Sequence, residues 1–196
     1  MKQISKDDLL GFEQWQRVRT ILRPLFIHEK ERRRLTVGSH LTFLFENTAT
    51  VWYQVEEMIR SEQLTDADAI RHEIDTYNEL IPARGEISAT LLIEFAEAKE
   101  RDAALRRLVG IEKHLWLKLG DKRAPLKFDD RQMSAERVSS VQFVRFEVGM
   151  ESDAFLTLAA GGGVAIQADH PNLGAEGRIA GDLARSLAED LAPESP

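Results

Sequence analysis

The chain has 196 residues, 43% of them apolar, a formal net charge of −7 and no cysteine. Such a chain can bury about 70% of the surface its unfolded form exposes, so a single domain is expected over residues 1–191, with 1–34 as a helical segment packed on it. The acidic balance argues against general affinity for nucleic acid or acidic membranes, and the missing cysteines exclude disulfides, thiolate ligands and iron–sulfur ligation by this chain.

The opening MKQISKDDLLGF lacks the apolar core of a signal peptide, and no run approaches the roughly 18 apolar residues of a membrane span. A cytoplasmic location with no membrane segment is the expectation. Ser5 suits an N-cap, with Asp7 and Asp8 in the first turn of a helix or helix pair running to about Arg33 and kinked or split by Pro24. Phe12, Trp15, Leu22 and Phe26 share one arc of it, with Arg19 in the middle. The basic run Lys30–Arg34 reads as a solvated helix end whose cations complement the C-terminal dipole, in preference to a phosphate-binding patch.

Gly38 turns the chain into a short strand, Leu41–Glu46, and Glu86–Phe95 reads as a second one by its alternation. Between them lie two helical segments, Thr50–Glu62 and Asp66–Leu80, which should form a helical hairpin ended by Pro82 and Gly85. Turning about 100° per residue, Val51, Trp52, Val55, Met58 and Ile59 make one stripe, with Glu62 inside it; Ala67, Ile70, Ile74, Tyr77 and Ile81 make the other, with Asn78 at its margin.

Glu97–Val109 is expected as a helix and Lys113–Leu119 as a strand, an order that can form a right-handed parallel crossover. The turn Gly120-Asp121-Lys122 leads into Ala124–Phe128 as a hairpin partner. Arg137–Val148 reads as a central strand, Glu151–Ala160 as a helix, Val164–Ala168 as a strand and Gly177–Leu191 as the last helix, before a tail from Ala192 expected to be disordered. The sum is an α+β fold: a mixed sheet of about six strands, helices mainly on one face, and the helical hairpin inserted between two strands.

No nucleophile elbow, Walker loop, dinucleotide fingerprint, zinc signature or di-iron pairing occurs, so no catalytic residue, metal or cofactor is assigned. Three weaker constellations remain. Asp68 and His72 stand at i, i+4 and could share a metal, but two ligands are too few and an exposed ion pair is the preferred reading. Asp169 and His170 end a strand, where an Asx-type turn before Pro171 competes with a reactive site. Arg19 and Glu62 each fall on an apolar face, and an arginine that met Glu62 or Glu46 would form a buried charge pair, against the simpler reading that both reach water. A polar pocket beside the hairpin is the resulting expectation, lined by some of Arg19, Glu46, Gln54, Glu57, Glu62 and Asn78, with Asp169 and His170 as separate candidates.

The stretches LTFLFENTATVWYQVEEMIRSEQL and DTYNELIPARGEISATLLIE, with VQFVRFEV and IQADHP far downstream, resemble an uncharacterised bacterial family catalogued as a domain of unknown function. The resemblance spans nearly the whole chain. It implies a neighbourhood of genes for a rubrerythrin-like protein and an iron–sulfur oxidoreductase, hence a role in oxidative-stress or electron-transfer metabolism, and it carries no catalytic residue. Two functions follow as expectations: a non-enzymatic accessory protein docking on such a redox partner, with a homodimer as a further assembly, or a small-ligand or metal-dependent enzyme using a carboxylate and arginine pocket.

Overall fold

The computed structural model describes residues 1–132 and 134–192. Their strands make two sheets, each antiparallel throughout. The first runs in the order β1 (Arg34–Val37), β2 (Leu41–Glu46), β3 (Glu86–Ile93), β7 (Val141–Glu147), β6 (Lys127–Phe128). The second runs β5 (Lys122–Pro125), β4 (Leu115–Leu119), β8 (Val164–His170), β9 (Leu173–Arg178). The helices are α1 (Phe12–Arg32), α2 (Thr48–Ser61), α3 (Ala67–Asn78), α4 (Ala98–Arg107), α5 (Ser152–Ala160) and α6 (Gly181–Leu191).

The α+β class and the helical hairpin between two strands stand as expected, but the single mixed sheet does not. Both edges of β3 are taken by β2 and β7, so β4 cannot join it in parallel and instead pairs with β5 and β8 in the second sheet. Nor do the helices keep to one face. Leu183, Leu187 and Leu191 of α6 and Phe155 of α5 join one core with Phe43, Phe45, Leu91 and Phe146 from the inner face of the first sheet and Leu117 and Ile166 from the second. The α2–α3 hairpin stands over the opposite, outer face, where Thr50 and Gln54 of α2 reach Glu46 and the Ser88 hydroxyl donates to the Leu80 carbonyl at 2.5 Å.

Local chemistry sets the hairpin. Asn47 accepts from the Thr50 amide at 2.8 Å and opens α2, while Asp66 accepts from the Asp68 and Ala69 amides and opens α3. The two apolar stripes close on each other, burying Val55, Ile59 and Ile74, and on the N-terminal segment, burying Val51 with Ile4 and Ile81. That segment is strapped down by side chains. The Asn78 amide accepts from Ile4 N and donates to Ile4 O, both at 2.8 Å, Trp52 Nε1 donates to Asp8 O, and Leu10 N donates to Glu56.

Ser5 pairs with Asp8 around a 3₁₀ turn at Lys6–Asp8, so α1 starts later, at Phe12, and runs unbroken through Pro24 to Arg32. Its inner face compensates the bond lost at proline, since Trp15 and Phe26 pack with Trp52 and Tyr53 of α2, and Phe26 stacks on Tyr53 at 4.6 Å between centroids. The basic run that follows is not all solvated. Arg33 is only 1% exposed and donates to Phe45 O, Glu46 O, Ser186 and Asp190, tying the end of α1 to β2 and α6.

The expected last helix also shifts. Residues 173–178 are strand β9, paired with β8 across the two-residue turn Pro171-Asn172, and α6 begins at Gly181. A Cβ on Gly177 would lie 2.6 Å from Val37 Cγ2 and 3.0 Å from the Thr36 carbonyl, where β9 meets β1. Gly177→Ala is therefore expected to destabilise by about 2 kcal/mol, lowering the melting temperature by roughly 4–8 °C in a thermal melt. An unchanged melt would mean that β1 and β9 can separate freely. The tail expected to be disordered lies, from residue 193 on, outside the described residues.

Candidate functional site

Register places a polar row across the outer face of the first sheet: Glu46 on β2 opposite Ser88 on β3, Ser88 opposite Arg145 on β7, and Arg145 opposite Lys127 on β6. One step along, Thr90 is paired with Phe143. Helix α3 roofs this face and leaves a cleft of about 910 Å³, with Tyr77, Thr76 and Leu80 above, Phe143 and Phe128 below, and Arg131 and Gln132 closing one end. The volume falls in the range of small-molecule sites.

Glu46 is 4% exposed and lines the cleft. Its Oε1 accepts from Thr90 Oγ1 at 2.8 Å and its Oε2 from Thr50 Oγ1 at 2.6 Å and Gln54 Nε2 at 3.0 Å, all neutral donors. The cations of the cleft are each engaged: Arg145 with Glu86 at 3.2 Å, Lys127 with Glu147, and Arg131 with Glu79 and Asp129. Arg131 beside Asp129 holds that carboxyl below its usual range. Burial, with the negative field of Glu73, Glu62 and Glu46 behind it, pushes the Tyr77 phenol up.

The residues singled out from sequence are brought together only in part. Glu46 and Gln54 meet at the cleft end of α2. Arg19 pairs with neither Glu62 nor Glu46, because α1 lies against a different face of α2; it makes a two-pronged contact with Glu57, Nε to Oε1 at 2.6 Å and Nη2 to Oε2 at 2.9 Å. Glu57 also accepts from Trp15 Nε1 and faces Arg60, and Arg19 above all holds its carboxyl below the usual range. Glu62 caps α2 in solvent. Asn78 serves the N-terminal strap. Asp68 pairs with Arg71 at 3.4 Å, not with His72, which lines the cleft instead.

Asp169 and His170 lie far off on the second sheet. The Asp169 carboxylate closes no turn: it meets His114 Nδ1 at 3.1 Å, Trp116 Nε1 at 3.0 Å and Arg123 at 2.9 Å, and Arg123 stacks on the Trp116 ring at 4.3 Å. The Trp116 bond leads in holding Asp169 below its usual range. His170, 7% exposed, takes the Asn172 amide on Nδ1, which fixes Nε2 as the donor to Val109 O. Among the described residues, no three His, Asp or Glu side chains are grouped to hold a metal ion, and no helix is long and apolar enough to cross a membrane.

Sequence reasoning missed Tyr77, Phe143, Arg145 and Lys127 as cleft residues. The signal was present as alternation: Val141, Phe143, Arg145 and Glu147 share one face of β7, and only the pairing of β7 with β3 sets that face beside Ser88 and Glu46.

A search of curated proteins finds no match. A crystal structure titled as a novel protein of unknown function from Burkholderia pseudomallei is similar throughout: 37% identity, TM-score 0.86, covering 97% of this chain and 100% of that one. The family model described as "Protein of unknown function (DUF3501)" matches residues 3–191. The chain belongs to that family.

Proposed function

We propose that this is a non-enzymatic accessory protein of a bacterial redox or oxidative-stress system, working in the cytoplasm and docking on a partner protein through α1. The observation that carries the docking role is where apolar surface is left uncovered. Phe12 (47% exposed), Ile21 (69%), Leu25 (62%) and Ile27 (46%) all stand on α1, and Val141 (39%) is the remaining large exposed apolar residue among those described. Val18, Ile21, Leu22 and Leu25 follow the i, i+3, i+4, i+7 spacing of a helix face made for an apolar groove.

Charge selects the kind of partner. Helix α1 carries five cations (Arg17, Arg19, Arg23, Lys30, Arg32) against three anions (Glu13, Glu29, Glu31), a net +2 on a chain of −7. Arg19 is turned to Glu57 of α2, and the net +1 left on the helix is complemented by an acidic surface, whereas pairing α1 with α1 of a second copy sets like charges together. The redox assignment rests on the gene neighbourhood that the family resemblance implies.

The test uses purified rubrerythrin-like and iron–sulfur oxidoreductase proteins of the same organism in titration calorimetry. One of them should bind, more weakly as salt rises, and Ile21→Glu/Leu25→Glu should weaken binding by at least roughly tenfold. Absence of binding to both, or a double variant that binds like the parent, overturns the proposal. Sedimentation showing a dimer that the double variant dissociates would reassign the face to self-association.

The cleft favours a second reading, a small-ligand protein or enzyme. The arginine foreseen for such a pocket is not Arg19 but Arg145, which stands in the same polar row as Glu46.

A further inference from the structure

We propose that the cleft between α3 and the outer face of the first sheet binds an organic cation, an amine carried on an apolar or aromatic body, with Glu46 as the carboxylate that receives the nitrogen. The inference rests on the second reading above and gives it a ligand class.

Lys127, Arg131 and Arg145 are each spent on a carboxylate already in the protein. Glu46, Glu73 and Asp75 line the same cleft, and none of them has a cationic partner among the described residues. The uncompensated charge is therefore negative, and an anionic ligand would meet guanidinium groups whose attraction is already neutralised.

Glu46 makes the strongest demand. It is 4% exposed, so water screens it little, yet its three hydrogen-bond donors are two hydroxyls and an amide. A buried carboxylate held only by neutral donors is poorly compensated, and a cation entering the cleft would complete it.

Shape decides between an inorganic and an organic cation. No three His, Asp or Glu side chains converge among the described residues, so a bare divalent ion would find too few ligands. The walls are instead a phenol ring, two phenyl rings and a leucine, Tyr77, Phe143, Phe128 and Leu80, around about 910 Å³. Such walls suit a flat apolar body, and Tyr77 can add cation–π attraction to the charged end.

Tryptamine and indole-3-propionate, matched in ring and chain but opposite in charge, serve as probes in amide NMR titrations of the full chain. Tryptamine should shift the amides of Tyr77, Ser88, Phe143 and Arg145 at low millimolar concentration, and indole-3-propionate should bind at least roughly tenfold more weakly. Glu46→Gln, whose oxygen can still accept from Thr50 and Gln54 while its amide donates to the Thr90 hydroxyl, should weaken tryptamine by roughly tenfold. If that variant fails to fold, Glu73→Gln/Asp75→Asn on the rim of the cleft should lower tryptamine affinity several-fold while leaving the spectrum otherwise intact. Equal shifts from both probes would keep the cleft as a ligand site and overturn the cationic class. No shift from either, or shifts reproduced by magnesium or manganese alone, would overturn the proposal as a whole.

Discussion

Arg33→Met is expected to destabilise the protein by about 3–5 kcal/mol, the loss typical of a buried ion pair deprived of one partner. Arg33 and Asp190 have side chains 1% and 3% exposed, and Arg33 Nη2 donates to Asp190 Oδ2. Its Nε and Nη2 also donate to Phe45 O and Glu46 O, both at 3.0 Å, and its Nη1 to Ser186 Oγ at 2.5 Å. Methionine fills much of the same volume but takes the guanidinium donors away from two carbonyls and the Asp190 carboxylate. Burial already pushes the Asp190 carboxyl up to about 6 against the pull of Arg33, so in the variant it should become harder still to ionise. Urea unfolding would read the loss as a lower midpoint at unchanged slope. Arg33→Met/Asp190→Leu should recover most of it, because a well-packed apolar pair can replace a buried ionic one. A single variant as stable as the parent would show that the contact stabilises nothing.

That network also marks where sequence reading stops. Elements with a strong period were legible: the alternation read over Glu86–Phe95 and the stripes of α2 and α3 follow from local rules. Strand β9 was not, because in Leu173-Gly174-Ala175-Glu176-Gly177-Arg178 only Leu173 and Ala175 carry the apolar alternation, and two glycines weaken it. Its glycine is there for space against Val37, a demand set by a strand about 140 residues earlier in the chain. The division into two sheets was hidden for the same reason, since a strand–helix–strand order does not say whether the edge of β3 is already occupied.

At the site, the type of residue was legible and the partner was not. Arg19 stood out as a cation on an apolar arc and does find a carboxylate, but Glu57 in place of Glu62 or Glu46, because the docking of α1 on α2 decides which turn of α2 it meets. Glu46 was picked as a polar strand end and is buried, whereas the basic run at Lys30–Arg34 concealed one buried member, Arg33, beside three other cations that resemble it in sequence. Side chains whose burial depends on long-range pairing carry no local signature.

Glu56→Gln should stabilise the protein by about 3 kcal/mol above neutral pH and change little near pH 4. Glu56 is 1% exposed on α2, beneath the N-terminal segment, and its Oε1 accepts from Leu10 N at 2.6 Å. Among the described residues no cation pairs with it, and burial raises the carboxyl from 4.5 to about 7, the Leu10 amide opposing. The folded form therefore holds a proton that the unfolded form releases from about pH 4.5 upward. Stability associated with Glu56 is fully present below that pH and is lost as the pH rises through about 7. Glutamine keeps an acceptor for Leu10 N and has no proton to lose, so the slope vanishes. Asp190 contributes a similar decline at lower pH in both proteins, and the difference between their unfolding free energies isolates Glu56. Chemical denaturation at pH 4.5 and pH 8 gives that difference directly: two curves that stay parallel from one pH to the other would mean that the strap leaves Glu56 open to water.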